Sequence, residues 1–108
     1  MNPRKEELRN IVLDIVFGRE KVFYGATQFG HLTAGVAEVL GRRHGDKQSS
    51  ESVFPRQERL EYNDLMIVQE IFWDLVVERV LTIGMNSDNA EYPWFRLHSE
   101  ATANLKRQ

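Results

Sequence analysis

The residue types best able to do chemistry are few and poorly spaced for it. His31, His44 and His98 are the natural metal ligands or proton shuttles. Their separations match no zinc-ligand pattern, so no metal site is expected. Asn86, Asp88 and Glu91 resemble part of a calcium loop, yet the alternating acids and their central glycine are missing. Asn and Asp there fit turn formation better, because their side chains bond their own backbone. Asp74 and Glu78 stand four apart like a carboxylate pair, with no base or nucleophile marked beside them. The glycines around Thr27 are not followed by Gly-Lys-Ser/Thr, so they form no phosphate loop. No cysteine is present, which removes thiolate nucleophiles, disulfides and Cys-based zinc sites and fits a reducing cytosol. The expectation is a cytoplasmic, non-enzymatic protein with no catalytic residues, no cofactor and no metal.

Binding chemistry is left to charge. Arg42, Arg43, His44 and Lys47 open a polar stretch, and Arg56 and Arg59 close it just before Asn63. Cations near the start of a helix suit phosphate, because the helix dipole adds to their pull. Arg4, Lys5 and Arg9 form a second, smaller basic group. Against this, the net charge of −2 disfavours a large phosphate footprint.

These residues must be positioned by one modest core, since 108 residues with 42% apolar content fit a single domain. No apolar run is long enough to span a membrane. Asn2-Pro3 opens a first helix over about 4–17, with Leu8, Ile11, Val12, Ile15 and Val16 at helical spacing. Val22, Phe23 and Tyr24, within 21–26, fit an edge strand or an extended connector. Thr27 is a candidate cap for a second helix ending at Gly41. Gly30 and Gly35 weaken that helix by roughly 1 kcal/mol each relative to Ala and are best read as close-packing sites.

Periodicity is lost from Arg42 to Arg59, a loop of about eighteen residues, longer than a compact domain usually carries. Asn63 then caps a third helix running to about Val80. On a helical wheel Leu65, Met66, Val68, Phe72, Trp73, Val76, Val77 and Val80 share one arc of roughly half the circumference. That width marks the central core element. Asp64, Glu70, Asp74 and Glu78 lie opposite, with Ile67 and Ile71 among them. Ile67, Ile71 and Asp74 are therefore candidate protein-interaction residues, unless the apolar pair is buried beneath the loop against Phe54. Leu81-Thr82-Ile83 and Trp94-Phe95-Arg96-Leu97 are strand-like and flank a Gly/Asn/Pro-rich tip, which reads as a hairpin. Trp73 and Trp94 are read as core and hairpin-to-body packing. Ser99 is a candidate cap for a last helical turn.

Helix, short strand, helix, loop, helix and hairpin is the element order of a winged helix-turn-helix domain. The expected fold is thus α+β, mainly α: three helices with a C-terminal β-hairpin wing at 81–97, in one domain over 1–108. Trp73, Leu75, Gly84, Asn86, Asn89, Pro93, Trp94, Phe95, Arg96 and Leu97 strengthen this. They resemble the helix-to-wing passage of winged-helix modules in bacterial regulatory or defence-associated proteins. The resemblance covers about the last third of the chain. Two departures stand out: the helix-to-helix turn is long, and His98-Ser99-Glu100-Ala101 does not continue the wing in the usual way.

The resemblance implies duplex DNA as partner, with the third helix in the major groove. The acids on that helix would be repelled by phosphates, and the wing tip carries Asp88 and Glu91 with no cation. The expected DNA contacts are therefore Arg42, Arg43, His44, Lys47, Arg56, Arg59 and Asn63. The alternative is a module for protein association, as a homodimer or docked on a larger protein.

Overall fold

A computed structural model of the protein describes residues 2–43 and 59–101. Helix α1 spans Pro3–Val16, α2 Phe29–Arg43 and α3 Tyr62–Val77, followed by strands β1 (Leu81–Ile83) and β2 (Phe95–Leu97). The fold is α+β and mainly helical, with one small antiparallel hairpin. His44, Lys47 and Arg56, and Phe54 with them, lie outside the described residues.

Helix α1 starts as its sequence dictates. The Asn2 side chain accepts the Arg4 N–H at 2.8 Å, and Pro3 takes the first helical position, where no amide is needed. Leu8, Ile11, Val12, Ile15 and Val16 are all buried.

Of the two forms open to the segment before α2, the structure takes the connector. Residues 21–26 form no strand. The pairing falls slightly later, where Gln28 bridges Trp94, the Phe95 N–H donates to the Thr27 carbonyl and the Phe29 N–H donates to the Pro93 carbonyl. Helix α2 accordingly begins at Phe29, and its first turn is closed by the Leu32 N–H on the Gln28 carbonyl, so Thr27 is not the cap. Val22 packs against Gly35 instead of pairing. A Cβ at Gly35 would sit 3.2 Å from it, so this glycine does permit a close approach.

Helix α2 also continues through Gly41 to Arg43. The Arg42 guanidinium donates to the Lys21 carbonyl at 2.6 Å and also meets Glu38, while Arg43 reaches Asp14 at 3.3 Å. Cations in a final helical turn also suit the dipole, and together these outweigh one glycine. Arg42 and Arg43 therefore belong to α2 rather than to the expected loop.

Helix α3 begins earlier than expected. Glu61 holds the cap position and its carbonyl accepts the Leu65 N–H, so Asn63 lies within the first turn. The helix ends at Val77, because Arg79 adopts a left-handed φ of 63° and the Val80 N–H closes back on the Leu75 carbonyl.

The hairpin forms as anticipated, pairing Leu81 with Leu97, Thr82 with Arg96 and Ile83 with Phe95. At its tip the Asn86 side chain accepts the amides of Asp88 at 3.0 Å and Asn89 at 2.9 Å, a self-contained turn. Gly84 has φ +94°, and a Cβ there would meet the Ala90 carbonyl oxygen at 2.6 Å. After the hairpin, helical residues resume at Ser99, and the Glu100 N–H donates to His98 Nδ1 at 3.1 Å. His98, rather than Ser99, holds that start.

The core joins the three helices to the hairpin. Phe72 sits at its centre, edge-on to Phe29 at 5.3 Å and to Phe95 at 5.2 Å between ring centroids. Leu81 and Phe95 bring the hairpin into the same cluster.

Candidate interaction surface

Helix α3 presents three sides, and each has a different physical character. Val68, Ile71, Phe72 and Leu75 face inward and are fully buried. Ile71 is 0% exposed, so it is a core residue and not part of a surface patch. Ile67 packs partly buried against the same cluster. The docking pair read from Ile67 and Ile71 is thereby corrected: α1 covers the side of α3 that the wheel assigned to solvent.

The second side carries the acids, and each meets a cation from α1. Arg4 donates in a bidentate fork to Asp64, Nε to Oδ1 at 3.0 Å and Nη2 to Oδ2 at 2.6 Å, and also reaches Glu7 at 2.7 Å. Lys5 Nζ lies 3.3 Å from both Glu70 Oε1 and Asp74 Oδ2. Arg9 forks onto Glu78 at 2.7 and 3.2 Å. Planar bidentate pairs are the strongest of these contacts. The Arg4 hydrogen bonds hold the Asp64 carboxyl below the usual carboxylate range, against the opposing effect of burial. Its partner guanidinium is pushed up by the same bonds, and Glu70 then Asp74 raise Lys5. The acidic side is thus an interhelical seam. Asp74 belongs to it, and so do Arg4, Lys5 and Arg9.

The third side faces outward. Tyr62 is 72% exposed, Trp73 42% and Val77 82%. Met66 falls on the same stripe, because residues four and eleven apart share a helix face. Tyr92 from the hairpin stacks on Trp73, with centroids 5.7 Å apart and planes at 24°, and is itself 45% exposed. Trp73 therefore joins hairpin to helix while remaining at the surface. Exposed Gln69 borders this side near the middle of the helix, and Glu70 of the seam borders it opposite.

Sequence reasoning placed Met66, Trp73 and Val77 in the core. The available signal was the width of the arc. A stripe that faces a core spans little more than about 100°, and an arc of roughly half the circumference holds more apolar residues than one core face needs. Tyr62 and Tyr92 carried no such signal.

The expected DNA contacts are dispersed or already engaged. Arg42 meets Glu38 and Glu20, and Arg43 meets Asp14. Arg59 and Asn63 are exposed near the start of α3. Arg59 also borders a cleft with Tyr24, His31, Leu60 and Leu65, in which Tyr24 stacks on His31 at 5.3 Å. Elsewhere Arg19 pairs with Asp14, Arg79 reaches Glu100 at 3.7 Å, and Arg96 donates to the Gly84 carbonyl at 2.8 Å. Among the described residues no group of three or more His, Asp or Glu side chains is gathered for a metal ion. No described helix is long and apolar enough to cross a membrane.

No family model matches the chain, and neither a curated protein nor a solved structure matches it.

Proposed function

We propose that this chain is a winged-helix domain used for protein association, a binding module rather than an enzyme. Docking goes through the outward side of α3, with Tyr92 of the wing extending it. One observation carries this reading: Tyr62, Trp73, Val77 and Tyr92 are exposed together on α3 and the hairpin, while most described cations are engaged by carboxylates. Contiguous exposed apolar surface rimmed by polar residues is characteristic of interaction sites, and Tyr, Trp and Met are enriched in them. A helix meant for the major groove needs outward Arg, Lys, Asn or Gln. This one offers Asn63 and Gln69 beside a hydrophobic stripe.

The rival reading is duplex DNA binding by a regulator or by the recognition module of a bacterial system. Arg59, Tyr62 and Asn63, exposed together at the start of α3, favour it. The two readings separate in one set of measurements. Under the association reading, the native complex holding the chain in its source cells is larger than the 12.6 kDa monomer. Val77→Asp returns it to monomer size, and duplex DNA is not bound at low salt. Salt-sensitive duplex binding that is lost in an Arg59→Glu variant establishes the DNA reading instead.

A further inference from the structure

We propose that the cleft between the first turn of α2 and the start of α3 binds a small aromatic monocarboxylic acid. The cleft holds about 510 Å³ and is walled by Tyr24, His31, Ala34, Leu60 and Leu65 and by the exposed Arg59. That volume, with an apolar lining broken by a few polar groups, is that of a small-molecule site. None of these residues belongs to the outward stripe of α3, so the site does not depend on the association reading.

Three features unusual in this molecule meet there. The first is Arg59. Each of the other described arginines donates to a carboxylate or a backbone carbonyl, whereas Arg59 has no such partner among the described residues. Glu61 and Asp64 stand near it, yet neither pairs with it, and Asp64 is held by Arg4. The second is His31. Its Nδ1 is shut off from water without a hydrogen-bond partner, the one buried side-chain polar atom in that state among the described residues. Such an atom lowers stability, and a ring kept only for packing would not carry it. The third is the stack of Tyr24 on His31, planes 17° apart and centroids at 5.3 Å, which gives the wall a flat aromatic surface.

Together these define the ligand. A flat apolar body packs on the stack and on Ala34, Leu60 and Leu65, which are all half-buried and line the cleft. One unpaired guanidinium accommodates one negative charge, and its planar fork matches a carboxylate through two parallel hydrogen bonds. A di- or triphosphate would bring more charge than this cleft can neutralise.

Titration of the full chain, followed by its amide NMR spectrum, tests the site with 1-naphthoate, its uncharged amide 1-naphthamide, the flexible acid octanoate and inorganic sulfate. 1-Naphthoate should move the Gly30, Ala34 and Leu65 signals saturably at or below millimolar concentration. The amide and octanoate should each bind at least about ten-fold more weakly, and sulfate should have no effect. Arg59→Gln should bring 1-naphthoate down to the level of its amide, with unchanged circular dichroism. Ala34→Leu, which fills the cleft, should remove binding of both; the exposed Arg59 position keeps the test independent of folding. No saturable movement at millimolar 1-naphthoate overturns the proposal, the cleft then being closed by the chain itself. So does equal binding of acid and amide, which leaves Arg59 without a role. Octanoate binding as tightly as 1-naphthoate removes the aromatic preference, and sulfate moving the same signals as strongly makes Arg59 an unselective anion contact; either result also overturns it.

Discussion

The α1-facing side of α3 and its outward side invert the usual placement of charge and hydrophobicity. On the first, Asp64, Glu70, Asp74 and Glu78 are all consumed by Arg4, Lys5 and Arg9. On the second, two aromatic rings and a valine stand in water. Charge on this helix serves to seat α1, and hydrophobicity on its far side is covered only in part, by Tyr92 on Trp73. An acidic helix is therefore not an acidic surface: carboxylates already paired present little field to a ligand, while exposed rings remain available to one.

Four substitutions test that contrast. The largest effect on stability is expected inside. Ile71→Ala should lower the unfolding free energy by about 2–5 kcal/mol, since the residue is fully buried and leaves a cavity. Chemical denaturation checks this, and a near-neutral result would return Ile71 to the surface. Next comes the hairpin that carries Tyr92. Gly84→Ala should cost about 1–3 kcal/mol, because φ +94° is strained for any side chain and the added Cβ strikes the Ala90 carbonyl. The Trp73 fluorescence should shift as Tyr92 loses its seat.

The seam is weaker. Asp64→Asn should cost about 1 kcal/mol near neutral pH, as expected of a partly exposed ion pair with bidentate geometry. Because the folded carboxyl titrates below its unfolded value, its contribution is complete above the unfolded pKa of about 4 and fades as pH falls through the lower folded value. The variant should therefore lose part of the parent's acid destabilisation, which thermal melts at several pH values measure. The smallest effect on stability belongs to the outward side. Val77→Asp should change stability by less than about 0.5 kcal/mol while abolishing association. A large loss of stability there would mean that the stripe is covered within the chain.

Much of the fold was legible. Asn2-Pro3 announced α1, and the Gly84–Pro93 passage announced a hairpin tip with Asn86 bonding its own backbone. The helix ends were less legible. Gly41 reads as a stop, yet the bonds from Arg42 and Arg43 to Lys21, Glu38 and Asp14 carry α2 past it. The candidate surface was hidden because a helical wheel reports residue types and not neighbours. Averaging over Val68, Phe72, Met66, Trp73 and Val77 pointed between two real faces, one buried and one exposed.

The sequence by itself determined what acts within a few residues: the cap of α1, the apolar repeat of each helix, the turn chemistry of the hairpin and the lack of thiol chemistry. Those features depend on backbone hydrogen bonds and side chains that are neighbours along the chain. Only the tertiary structure decided which side of α3 meets solvent. Arg4 and Asp64 are 60 positions apart, and Arg9 and Glu78 are 69. Their meeting turns the acidic side into a seam, covers Ile71 and leaves Tyr62, Trp73 and Val77 outside. No local pattern encodes that choice, because it depends on which helix arrives to pack.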